Sequence, residues 1–266
     1  MPDAVPPATP EAEMGRAAWL QRAAAIAFGV RVVRAQIARA AARVGRDPGD
    51  VRLVAVSKGF TAAAAAMAAA AGVRDFGENR VQDALPKLAA LPTVQWHMIG
   101  QLQRNKCRQV VGRFCLVHGV DRPDLAESLE RAAAAAGVRQ AVLLQVSLTG
   151  LPGQGGVPPA HAADLLHRMA GMPHLQPSGL MAIAPAAADP EQARAAFTTL
   201  RALRDRLRSQ VDLPLPELSM GTSGDYAVAV EEGATLVRVG RAIFGARAAA
   251  MAHQLPSFPS APPAAP

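Results

Sequence analysis

Three lysines stand among 25 arginines in this 266-residue chain, and one of them, Lys58, closes the run Val51-Arg52-Leu53-Val54-Ala55-Val56-Ser57-Lys58. β-Branched residues dominate the run and a turn follows at Gly59, the pattern of a buried parallel strand. The two-residue period puts Val54, Val56 and Lys58 on one face. An ammonium aimed inward at a strand end is costly without a partner. Where arginine is the default cation, a lysine there points to a task that guanidinium cannot perform: an amine that gives up its proton and attacks a carbonyl. The plainer alternative is a side chain that runs out to solvent along its aliphatic stem.

Two later segments carry anion-binding chemistry. Ser219-Met220-Gly221-Thr222-Ser223-Gly224-Asp225 offers small residues, hydroxyls and backbone N–H groups. In Val237-Arg238-Val239-Gly240-Arg241-Ala242-Ile243-Phe244-Gly245, Gly240 allows close backbone approach, and a helix is expected just after it. Helix N-termini receive anions. Either segment alone is ordinary turn chemistry; together, at the last two strand ends, they read as a phosphate cup. Arg238 shares a strand face with Leu236 and Gly240 and is expected inside the sheet. There it needs a partner, either a carboxylate or a ring nitrogen of a bound cofactor.

Asp75-Phe76-Gly77-Glu78-Asn79-Arg80 and Trp96-His97-Met98-Ile99-Gly100-Gln101-Leu102-Gln103-Arg104-Asn105-Lys106 place further polar side chains at strand ends. Taken singly, Asn79 reads as a helix N-cap, His97 as a hydrogen-bonded core histidine and Glu78 as the partner of a nearby arginine. Metalloprotease, P-loop and serine-hydrolase signatures are missing from the sequence. The two cysteines, Cys107 and Cys115, match no metal or disulfide spacing.

The elements that must position these groups alternate along the chain. A helix is expected over about 16–44, then a turn at Asp47-Pro48-Gly49-Asp50. Strand-like runs follow at 51–57, 73–76, 94–99, 114–118, 140–147, 178–184, 216–220 and 234–240. Segments of helical period lie between them, such as 123–136 and 190–209. Strands alternating with helices imply a parallel sheet. Eight such units in about 200 residues suit a single-domain α/β (β/α)₈ TIM barrel, the fold class expected here. A doubly wound open sheet is the alternative, without a dinucleotide fingerprint to support it. Expected divisions are a disordered extension over 1–15, the barrel with its leading helix over 16–250, and a Pro-rich tail over 251–266.

Composition narrows the function classes. Net charge is +7 with 4% aromatic residues. The arginines are scattered along helices, and stacking platforms for bases are scarce, so nucleic acid is not an expected partner. Residues 1–13 lack the apolar core of a secretory signal, and the longest apolar run, 62–73, is too short to span a bilayer. A cytoplasmic protein that binds no membrane is expected.

Taken together, LVAVSK at 53–58, DFGENRVQDALPK at 75–87, WHMIGQLQRNK at 96–106, GLMAI at 179–183, LSMG at 218–221 and VRVGRAIFGAR at 237–247 resemble the pyridoxal phosphate homeostasis proteins. That family resembles the fold-type III barrel of alanine racemase without its second, β domain. The resemblance implies pyridoxal 5′-phosphate (PLP) held as a Schiff base on Lys58, with Arg238 facing the pyridine nitrogen. It implies Ser219, Ser223, Gly240 and Arg241 around the phosphate, and Asn79, His97 and Met220 lining the ring's pocket. It implies PLP storage, delivery or buffering, with PLP-dependent apo-enzymes as recipients and a monomer or weak dimer as the working state. A weak PLP-dependent racemase and a Schiff-base aldolase-type barrel remain as alternatives. The chain departs from the family pattern at Thr61, where a proline is usual, and at Ser147 and Gln154, where the strand-5 loop usually has Asn and Lys.

Overall fold

The computed structural model describes residues 15–150, 155–185 and 189–246. The extension through residue 14, Gln154 and the chain beyond residue 246 lie outside them.

Eight parallel strands close a barrel: β1 (Arg52–Val56), β2 (Asp75–Glu78), β3 (Gln95–Met98), β4 (Leu116–Val120), β5 (Gln140–Gln145), β6 (Leu175–Met181), β7 (Glu217–Ser219) and β8 (Leu236–Val239). They pair in chain order, and β8 returns to β1 with Val54 opposite Arg238. The sequence-based expectation of a (β/α)₈ TIM barrel is met. The closed ring also rules out the open-sheet alternative.

The helices follow from the intervening pattern. α1 (Arg16–Arg43) precedes the barrel. α2 (Ala62–Ala70), α3 (Val81–Ala90), α4 (Cys107–Val110), α5 (Pro123–Ala136), α6 (Ala162–Ala170), α7 (Arg194–Val211), α8 (Tyr226–Glu231) and α9 (Arg241–Phe244) follow successive strands. α2 is almost entirely alanine, the residue that loses least on entering a helix. Thr61 starts it as N-cap, its Oγ1 accepting from the Ala64 N–H at 3.3 Å. A hydroxyl therefore begins the helix at the position where proline is usual in the family.

Strand alternation divides the side chains into two layers. Val54, Leu116, Leu143, Met181 and Leu236 pack inside the barrel. Alternate residues such as Ala55, Phe76, Val117 and Leu144 join the larger apolar layer beneath the helices. Three strands lie two or three residues from their expected places: β2 and β4 start and end later, β6 earlier. β6 contains Pro177, which has no N–H for the ladder. Pairing with β5 shifts register beside it, and Gly179 follows. A Cβ on Gly179 would stand 2.0 Å from the Glu217 carbonyl oxygen, so only glycine lets β6 approach β7 there.

Candidate functional site

A cavity of about 390 Å³ opens at the C-terminal strand ends, lined by Lys58, Asn79, Ser223, Arg238, Gly240 and Arg241 together with Thr222 and an apolar wall. That volume is in the range of small-molecule sites. The wall is Val56, Phe60, Ile99, Met181 and Ile183. Phe60 stacks on Phe244 at 5.1 Å between ring centroids, which fixes one side. Among the described residues, three cations line the cavity and no carboxylate does. Such a lining favours an anion with a flat apolar portion.

Lys58 continues the interior face of β1 after Val54 and Val56, as the alternation predicts. The strand end beneath it is held by a buried cluster. The Lys87 Nζ of α3 donates to the Ser57 carbonyl oxygen at 2.8 Å and to Glu78 Oε1 at 2.5 Å, and the Ser57 hydroxyl donates to the same Oε1 at 2.6 Å. Glu78 is fully buried and Lys87 is 5% exposed. Glu78 therefore pairs with a lysine of α3 and not with an arginine, because β2 extends through it and sends its side chain outward under the helix.

Arg238 is buried and makes no ion pair among the described residues. Its guanidinium donates to Ser219 Oγ at 2.6 Å and to the Ala182 carbonyl oxygen at 2.9 Å. Burial lowers its pKa to about 10, against the opposing pull of Asp225, so it stays charged at neutral pH. Two acceptors leave part of its five-donor fork for the cavity it lines.

The loop after β7 and the start of α9 form the cavity's polar corner. Asp225 Oδ1 accepts from both the backbone N–H (2.5 Å) and the hydroxyl (3.0 Å) of Thr222, which closes the loop. Ser223 Oγ accepts from the Gly240 N–H at 3.1 Å. A Cβ on Gly240 would stand 3.1 Å from the Val56 carbonyl oxygen and 3.4 Å from its Cβ. A Gly240→Val change should therefore push β8 from β1 and narrow this corner. Measured side by side, affinity for PLP should fall more than affinity for pyridoxal, which lacks the phosphate. An equal fall for both would mean that the corner holds no phosphate.

Three expected site residues lie outside the cavity lining. Met220 has the opposite parity to Ser219, so its side chain enters the apolar layer under the helices. Ser219 and His97 face the interior but are fully buried, one layer below the cavity. Asn79 lines the cavity and is not the helix cap; α3 begins after Arg80. Sequence reasoning missed His118. His97 Nδ1 lies 3.0 Å from His118 Nε2, and His118 Nδ1 lies 2.8 Å from Ser219 Oγ. The available signal was parity, since His118 shares the inward face of β4 with Leu116.

The closed parallel barrel with a cavity at its C-terminal mouth belongs to a fold class shared with alanine racemase. Residues 31–248 match the family model described as alanine racemase, N-terminal domain, and the chain belongs to that family. Within it, the chain is one of the pyridoxal phosphate homeostasis proteins. It is 44% identical to the Pseudomonas aeruginosa member over 225 residues, 84% of this chain and 96% of that one. The Aquifex aeolicus member is 38% identical, covering 80% of this chain and 94% of the relative. Among solved structures, PipY of Synechococcus elongatus with PLP bound is 42% identical, with a TM-score of 0.74 over 83% of this chain and all of that one. Alanine racemase of Corynebacterium glutamicum, 19% identical with a TM-score of 0.67, shares the fold.

Proposed function

We propose that this chain binds PLP as a Schiff base on Lys58 and serves in its homeostasis, storing, delivering or buffering the cofactor. The observation that carries this reading is the convergence of one amine and two guanidinium groups, with no carboxylate among the described residues, on a cavity with an apolar wall. The donor set suits the cofactor. Lys58 supplies the amine for its aldehyde. Arg238 supplies a donor for the ring nitrogen, while Thr222, Ser223, Gly240 and Arg241 receive the phosphate. Ile99, Met181 and Phe60 flank the ring.

PLP supplies an electron sink when a carboxylate keeps its ring nitrogen protonated. A guanidinium holds its proton and offers the nitrogen only a hydrogen bond. Arg238 in that place keeps the sink weak, which suits a carrier better than an amino-acid enzyme. A racemase also needs a second base in the cavity. Tyr226, the chain's single tyrosine, donates its hydroxyl to Gln36 of α1, outside the barrel. His97 has both ring nitrogens engaged in the interior. Neither is placed to serve.

PLP-dependent apo-enzymes are the proposed recipients, and a monomer or weak dimer in the cytoplasm is the proposed working state. Among the described residues no helix is long and apolar enough to cross a membrane. The test is the absorbance of purified protein mixed with PLP, followed by exchange into PLP-free buffer. A retained near-visible band is expected. Its absence would remove the carrier reading, and a bare lysine acting on a sugar phosphate would take its place. Amino-acid racemisation at ordinary enzyme rates, about 1–10³ s⁻¹, would replace the carrier with an enzyme.

A further inference from the structure

A chain of buried polar side chains crosses the interior of the barrel. Asp75, the first residue of β2, lines a separate cavity with Val51, Arg52 and Arg74 at the N-terminal ends of β1 and β2. Its Oδ1 lies 3.0 Å from His97 Nε2. From there the contacts pass through His118 and Ser219 to the Arg238 guanidinium, every link at 3.0 Å or less. His97, His118 and Ser219 are each fully buried. Five strands contribute one residue apiece, so the chain exists only once the barrel has closed.

The chemistry of the two ends gives the chain a direction. A carboxylate only accepts, and a guanidinium only donates. With both imidazoles neutral, Asp75 takes the His97 Nε2–H. That leaves His97 Nδ1 to accept from the His118 Nε2–H. His118 Nδ1 then accepts from the Ser219 hydroxyl. Ser219 Oγ, its own proton directed away, presents its lone pairs to Arg238. Burial, with His97 and Arg238 nearby, pushes the His118 imidazole well below the ordinary histidine range and keeps it neutral. Each donated proton makes the next oxygen or nitrogen a better acceptor, because bonds in a low-dielectric chain polarise one another.

We propose that Asp75, His97, His118 and Ser219 are positioning residues that hold the Arg238 guanidinium in place as a donor to the ligand, so that a carboxylate at the far face of the barrel sets PLP affinity without touching PLP. This rests on the carrier reading above and adds to it the device that orients the ring-facing arginine. It also accounts for a buried guanidinium that has no carboxylate partner among the described residues: its counter-charge reaches it through four hydrogen bonds.

Two measurements test this. The first needs no cofactor. Long-range proton–nitrogen spectra of full-length protein labelled with ¹⁵N-histidine report the tautomer of each ring at pH 7. The His97 and His118 rings, 5.2 Å apart, are recognised by their mutual contact. Both should be neutral with the proton on Nε2. A proton on Nδ1, or a cationic ring, at either position would overturn the directed chain.

The second is a double-mutant cycle on PLP affinity. Asp75→Leu should weaken binding about three- to tenfold, the scale of one net hydrogen bond. In an Arg238→Met background the same change should shift affinity by less than about 1.5-fold, because its only route to the ligand has gone. An equal loss in both backgrounds would show a general structural effect and overturn the proposal. If Asp75→Leu does not fold, the tautomer spectra of the unaltered protein still decide. If the unaltered protein binds no PLP, the carrier reading fails, and the spectra still report the chain separately.

Discussion

Lys58→Ala is expected to abolish the near-visible band of lysine-bound PLP and leave the barrel folded. Lys58 is partly exposed at the cavity, and the strand beneath it is held by the Lys87 and Gly77 contacts to Ser57. Truncation therefore opens space that water can fill and leaves no buried cavity. Stability should change by no more than about 0.5 kcal/mol, as for substitutions away from packed features. The other two lysines are poorly placed to substitute. Lys87 is buried in its ion pair with Glu78, and Lys106 ends a short 3₁₀ turn beside another cavity with Gln103 and Arg122. Borohydride reduction of the PLP-loaded protein, followed by peptide mapping, should place the label on Lys58 alone. Label on Lys87 or Lys106 would show that PLP is held elsewhere. Loss of the circular-dichroism signal in the variant would mean that Lys58 is structural.

The sequence carries the barrel well because the alternation of apolar runs and helical segments is the barrel's own physics. It places Lys58 and Arg238 inward because strand parity alone decides which face they take. Its failures come where an element's end, not its middle, decides the chemistry. Ending β2 at Phe76 puts Gly77 and Glu78 in a loop and makes Glu78 a surface partner for arginine. The strand extends two residues further, and those residues bury Glu78 beneath α3. Met220 falls one residue past β7, where parity carries its side chain away from the cavity. His118 sits in a strand with no motif around it. Its meaning depends on Ser219, 101 residues away, and on a closure that no local pattern announces. The cavity's composition is legible locally; the interior chain below it is a property of the closed ring.

Outside the ring, the Ser57–Glu78–Lys87 cluster buries an ion pair and is therefore sensitive to one-sided substitution. Glu78 has one oxygen with two donors and a second, Oε2, with no partner among the described residues. Lys87 supplies its counter-charge and also ties the end of β1 through the Ser57 carbonyl. Lys87→Met keeps the apolar stem and removes the charge, leaving a buried carboxylate with a single hydroxyl donor. Breaking a buried pair on one side costs about 3–5 kcal/mol, far more than the pair is worth as a whole. Chemical denaturation should show a loss of that size in the single variant. Lys87→Met combined with Glu78→Leu replaces both charges with apolar groups and should recover most of the loss, since such exchanges are often neutral. The double variant should also bind PLP more weakly than the native protein, because the Ser57 carbonyl no longer fixes the strand end that carries Lys58. A single variant as stable as the native chain would mean that Glu78 is solvated and the cluster open. A stable double variant with unchanged PLP affinity would confine the cluster's role to folding.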